Sequence, residues 1–253
     1  MTTPDYSTST MHKKAFTNNV FKKFTDLVGG DPEEFANELY RKFTVEDFGF
    51  HDDMVYWRVL EYFEKTVVPH KVEVYKAGMS LLSQPWISDF IKPYEIEQFK
   101  KNLWLHDLSK FSANESFGYA MYNFKNPHPK SKEFFEKAWH HHKMNNQHHP
   151  EYWLNPNRSG GLEPIRMPNL YLLEMVADWI GAGVTYGNSL ENWLPENLHK
   201  FLIHPASLYQ LSGILRSIGI STYTEAEDVN FGEENMRLSV SKEWTKINKA
   251  NQK

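Results

Sequence analysis

The stretch "SKEFFEKAWHHHKMNNQHHPEYW", residues 131–153, holds five histidines within the ten positions His140 to His149. Its first part reads as a helix with Ser131 as N-cap. His142 is followed at +6 and +7 by His148 and His149, with Asn145 and Asn146 between them. That spacing suits a helix end handing over to a loop, with one metal ligand on each side of a turn and Pro150 stiffening the exit. A solvated polar turn is the other reading of the tract.

Working outward, helical patterns dominate. "MVYWRVLEYFEKTVVPHKVEVYKAGMSLL" has helical periodicity but contains Pro69, which should kink or divide it just before His70. "PYEIEQFKKNLWLHDLSKF" predicts a helix ending near Lys110. "SANESFGYAMYNF" opens another, with Ser112 as N-cap and Glu115 three residues later in a capping-box position. Residues 155–168, "NPNRSGGLEPIRMP", read as a Gly/Pro loop. "NLYLLEMVADWIGAGVTYG" is a strongly apolar helix, and "LPENLHKFLIHPASLYQLSGILRSIGI" supplies one or two more. Alternating strand patterns are almost absent, so the expected fold is all-α. Its expected parts are an N-terminal helical extension (1–50), a helical domain (51–225) and a polar C-terminal tail (226–253). Within the extension, Gly29-Gly30 should stop one short helix and Asp31-Pro32 start the next. The first dozen residues are Ser/Thr-rich and expected to fray.

Composition narrows the chemistry. The 253 residues include eight tryptophans and 15% aromatics, enough for a packed core. A net charge of −4 gives no global attraction to nucleic acid or anionic membrane. No stretch approaches 18 apolar residues and no signal peptide is visible, so the expectation is a cytoplasmic protein without membrane partners. The absence of cysteine excludes disulfides and thiolate metal sites. A metal would be held by His and carboxylates, a set suited to Mn, Fe, Co, Ni or Zn.

Several residues have that character. His106-Asp107 closes an apolar helix; adjacent helical residues point about 100° apart, so both reach one ion only if it lies between their directions. His51-Asp52 is a second such pair, placed where Asp is expected as a cap. Asp178 sits among Met175, Val176, Ala177, Trp179 and Ile180, where an ionised carboxylate is costly unless paired or bound to a cation. Glu174, four residues earlier, shares its face; a Lys or Arg from elsewhere would equally satisfy Asp178. His70 lies among Val67, Val68, Val72 and Val74, as a core residue or a ligand.

Taken in order, His70, His106-Asp107, His142, His148-His149 and Asp178 resemble the HD-domain superfamily of metal-dependent phosphohydrolases. The double-histidine step is similar to its HD-GYP branch. "HDLSKF", "HHPEYW" and "MVADW" also resemble an uncharacterised HD-like family found largely in phage and bacteria. The resemblance covers roughly residues 60–185. It implies one metal bound by His70, His106, Asp107 and Asp178, with Asp107 bridging to a second held by His142 and by His148 or His149. The gap from His142 to His148 is shorter than in HD-GYP proteins and no GYP tripeptide follows. Which of His140, His141 and His142 binds therefore stays open, and cyclic dinucleotides are not implied as substrates.

Two divalent ions about 3.5–4 Å apart can activate a bridging water and clamp the oxygens of a phosphate ester. Lys110, one turn after Asp107, is placed to neutralise a phosphate oxygen, a role the resemblance also implies. Arg158 and Arg166, flanking "SGG", are further phosphate candidates or simply solvent-facing. Glu115 is a candidate general acid or base, or only a cap. Trp139, Tyr152, Trp153 and Trp179 are either a base-stacking platform or plain core. The leading expectation is a metal-dependent phosphohydrolase acting on a small-molecule phosphate ester, a nucleotide or its like. The alternatives are an HD-like di-iron oxygenase and a non-catalytic helical binding protein with a structural metal. Residues 1–50 carry no clear motif: covering the site, building a homo-oligomer and doing neither are all open readings.

Overall fold

The computed structural model describes residues 20–43, 53–123, 129–225 and 237–240. The expectations for residues 1–12, for His51-Asp52 and for the 226–253 tail apart from 237–240 lie outside them. The described chain is all-α. Its helices are α1 (Lys22–Val28), α2 (Pro32–Lys42), α3 (Asp53–Tyr62), α4 (Val68–Leu82), α5 (Ile96–Leu105), α6 (Ala113–Tyr122), α7 (Ser131–Asn145), α8 (Asn169–Tyr186), α9 (Leu190–Asn197) and α10 (Pro205–Ser217). Two short antiparallel pairs complete it, β1 (Leu154–Pro156) with β2 (Leu162–Pro164), and β3 (Thr222–Glu225) with β4 (Arg237–Val240). None of the described helices is long and apolar enough to cross a membrane.

Packing divides the chain into two compact units, residues 1–75 with 104–146, and 76–103 with 147–253. In the first, α1 with Phe21 just before it, and α2, supply Phe21, Phe24, Phe35, Ala36 and Leu39 to one core shared with Val59, Phe63, Val67, Leu108, Phe111 and Ala138. Their boundaries follow local chemistry. Gly29 and Gly30 adopt positive φ and end α1. Asp31 then caps α2 by accepting the Glu33 N–H at 2.8 Å, with Pro32 in the first turn.

Pro69 does not break the helix it enters. The chain runs continuously from α3 through one π-helical turn, Phe63–Val67, into α4. Proline has no N–H to donate and its ring displaces the carbonyl four residues back. The helix answers by widening, with Val68 N–H reaching Phe63 O. His70 enters the first turn of α4.

Helices α6 and α7 approach closely at Gly118, where an added Cβ would lie 2.4 Å from Phe134 O and 2.7 Å from the Ala138 Cβ. Ring pairs Phe117–Phe134 and Tyr119–Phe135 flank that contact. Ser131 is the first residue of α7 rather than its cap, which is Lys130.

In the second unit, α8 buries Leu172, Leu173, Met175, Val176 and Ala177, and packs with α9 and α10. Trp179 stacks on Phe201 and meets Trp193 at a tilt, as core. The segment expected as a plain loop closes as the β1–β2 hairpin. Asn157 makes the turn, its Oδ1 accepting from Ser159 N and Gly161 N, with Gly160 at φ 84°.

The Gly118 contact gives a stability test. Gly118→Ala should cost about 1–3 kcal/mol through overpacking, read as a lower urea midpoint for the far-UV signal. An unchanged midpoint would mean that α6 and α7 do not approach this closely.

Candidate metal centre

Helix α5 ends at Leu105, five residues short of the expected end at Lys110, because Asp107 takes a left-handed conformation (φ 56°, ψ 23°). It is the sole positive-φ residue other than glycine among the described residues. Glycine usually fills such a helix-ending position. The conformation costs most L-residues about 1–2 kcal/mol, with Asp and Asn tolerated. The sharp turn feeds a 3₁₀ turn, Leu108–Phe111. It also removes the 100° divergence expected of two helical neighbours, so both His106 and Asp107 reach the interior.

The first unit gathers three imidazoles on that one carboxylate. His70 Nε2 lies 3.4 Å and His106 Nε2 3.5 Å from Asp107 Oδ2, and His142 Nε2 lies 3.3 Å from Oδ1. All four residues are buried, Asp107 to 1% exposure. Lys110 Nζ donates to Asp107 Oδ2 at 2.5 Å. Burial pushes the Asp107 carboxyl up, but His106, Lys110, His142 and His70 together hold it well below the usual carboxylate range.

His142, in the last turn of α7, is the member of the triple-histidine run that faces Asp107; His140 is exposed. Glu115, buried on α6, accepts from His142 Nδ1 at 2.8 Å and from His141 Nδ1 at 2.7 Å. It therefore does not form the capping box, and Ser112 makes no side-chain cap. Trp139 stacks on the His142 ring and Tyr119 meets it edge-on. Asn146 Nδ2 donates to Ser109 Oγ at 2.7 Å and to His142 O at 2.8 Å.

These contacts fix the imidazole electronically as well as sterically. With Nδ1–H given to Glu115, Nε2 turns a lone pair towards a carboxylate oxygen 3.3 Å away. Two acceptors so placed repel unless a proton or a cation lies between them. Burial pushes the His142 imidazolium down and the Asp107 and Glu115 charges only partly offset this, so protonation is disfavoured. The buried His/Asp cluster could thus hold a metal ion, and its three nitrogens and one carboxylate suit a divalent transition metal.

The second unit carries its own cluster. His148, buried in the turn after α7, has Nδ1 3.3 Å from Glu174 Oε1 and Nε2 4.0 Å from Asp178 Oδ2. Glu174 and Asp178 stand one turn apart on α8, and Asn102 Nδ2 donates to Glu174 Oε2 at 3.1 Å. The His149 ring lies 4.3 Å from that of His148. Arg158 and Arg166 are exposed at the β1–β2 hairpin and after it.

Sequence reasoning missed Lys71, Ser109 and Asn146. Lys71 is fully buried; its Nζ donates to Trp104 O at 3.1 Å and, more closely, to His106 O. A charge interrupting the apolar run around His70 was its one visible signal.

The acid limb of stability follows from these groups. The depressed His142 favours the metal-free fold above its unfolded pKa of about 6.5 and ceases to as pH falls. The depressed Asp107 and Glu115 stabilise above about pH 4 and lose that contribution as pH drops through their folded values. Melting temperature of chelated protein should fall in two stages, below about pH 6.5 and again below about pH 4. Glu115→Gln should flatten the lower stage; an unaltered profile would reject this account.

No curated protein and no solved structure matches the chain. A family model matches residues 60–216, more than half of its length and inclusive of His70, His106, Asp107, His142, His148, His149 and Asp178. The chain therefore belongs to the family described as a family of unknown function (DUF5662).

Proposed function

We propose that this chain is a metal-dependent phosphohydrolase acting on a nucleotide or related phosphate ester. The observation that carries the reading is the His142 imidazole, locked by Glu115 with its Nε2 lone pair aimed at buried Asp107. The HD-like order of His70, His106-Asp107, His142, His148-His149 and Asp178 supports the reaction class.

A divalent ion bound there supplies Lewis acidity and a water with its pKa brought towards neutrality. His70, His106, Asp107 and His142 are the proposed ligands in the first unit. On the order of the motifs, His148, His149 and Asp178 are the proposed ligands in the second unit. Glu115 holds the His142 tautomer rather than touching substrate, since His141 and His142 take its two oxygens. Lys110 is the proposed phosphate contact: its side chain is 12% exposed while its ammonium reaches the centre. This cation is what favours phosphate over oxygen as the substrate. Arg158 and Arg166 are proposed to contact the phosphate further out.

Elemental analysis of untagged protein purified without chelator tests the centre. Asp107→Ala should lose the metal and metal-dependent phosphate release from nucleotides, with its helical CD kept. Asp178→Ala tests the second cluster: reduced metal content keeps Asp178 in the ligand set, and unchanged metal removes it. Glu115→Gln should weaken metal binding by about 10–100-fold. Lys110→Ala should lower kcat by about 10²–10³ at full metal content. Oxygen uptake by iron-loaded protein would replace the hydrolase with an oxygenase. Protein that neither holds nor takes up metal would end the enzyme reading.

A further inference from the structure

We propose that Lys71, seated on aromatic rings of α1 and α2, is a positioning residue that fixes His106 in the metal centre. Residues 20–43 are then part of that centre's scaffold although they precede the segment matched by the family. The inference rests on the metal reading above.

The C-terminal end of a helix leaves its last carbonyls without intrahelical partners, at the negative pole of the helix dipole. At the end of α5 the Lys71 ammonium takes two of them, Trp104 O and His106 O. The His106 peptide is thereby held at its carbonyl while its imidazole faces Asp107 at 3.5 Å. Lys71 follows His70, and adjacent helical side chains diverge by about 100°. One dipeptide of α4 thus supplies a candidate ligand on one side and the clamp of another on the next.

A fully buried ammonium is costly unless its surroundings offset desolvation. Beyond the two carbonyls, its Nζ lies 4.6 Å from the Phe24 ring centroid and 5.0 Å from that of Phe35. Those rings belong to α1 and α2, and their placement is itself tied to α5. Phe35 meets Trp104 edge-on at 5.1 Å, and Trp104 Nε1 donates to Gly29 O at 3.2 Å. Gly30 makes room, since a Cβ there would lie 2.9 Å from Trp104 Nε1. The N-terminal helices, Trp104, Lys71 and the His106 carbonyl form one continuous packed chain of contacts.

The test titrates Co(II) into the full-length, chelated protein and reads both affinity and visible d–d bands, with melting temperature measured alongside. Lys71→Met should remain helical yet bind Co(II) about 10–100-fold more weakly, with altered bands. Lys71→Arg, which retains charge and donors, should recover part of the loss. Val59→Ala, a core variant on α3, should lower the melting temperature while leaving affinity and bands as in the wild type. Wild-type affinity and bands in Lys71→Met would overturn the inference and leave the metal centre standing. If Lys71→Met does not fold, Phe24→Leu takes its place; weaker binding supports the inference and unchanged binding overturns it. A wild type that binds no Co(II) would remove the metal centre first, and this inference with it.

Discussion

A carboxylate at 1% exposure, in a backbone conformation that aspartate seldom adopts, organises the first unit of this protein. Buried charge must be met by opposite charge or by donors. Asp107 is met by Lys110 and by ring nitrogens from α4, from its own neighbour and from α7. The elements that deliver those groups have their odd features close by. The π turn precedes His70, the left-handed residue ends α5, and the glycine contact sets α6 against α7. Local irregularity here accompanies the placing of candidate ligands, a common location for backbone strain.

Around that carboxylate, roles separate by what each polar group touches. Glu115 is as buried as Asp107 but spends both oxygens on histidines, which sets a tautomer and a ring orientation. Ser109 and Asn146 complete the polar lining beneath the His142 ring. Trp139 and Tyr119 then confine the ring from its face and edge. A ring restrained in this way loses little further freedom when it ligates an ion, which favours tight binding.

The N-terminal helices change in standing once Lys71 is considered. Their phenylalanines are core for the first unit and also the face on which a buried ammonium rests. One group of aromatic side chains therefore serves stability and, on the proposal above, the setting of His106. The second unit repeats the same physical rule on α8: Glu174 and Asp178, in a strongly apolar helix, are met by His148 and Asn102.

By itself, the sequence determined the all-α class, the absence of any thiolate site and the ordered His/Asp set, because helical periodicity and residue type are local properties. The caps at Gly29-Gly30 and Asp31-Pro32 were legible for the same reason. Tertiary structure decided what depends on partners distant in the chain. Glu115 occupies a capping-box position, yet α7 brings it His141 and His142, and charged hydrogen bonds outweigh a local cap. His142 is distinguished from His140 and His141 by which face of α7 is buried, which three adjacent histidines do not reveal. The left-handed turn at Asp107 carries no glycine to announce it. Lys71 reads locally as one more solvated lysine; carbonyls and rings supplied by α5, α1 and α2 make its burial favourable, and those exist only once the unit has packed.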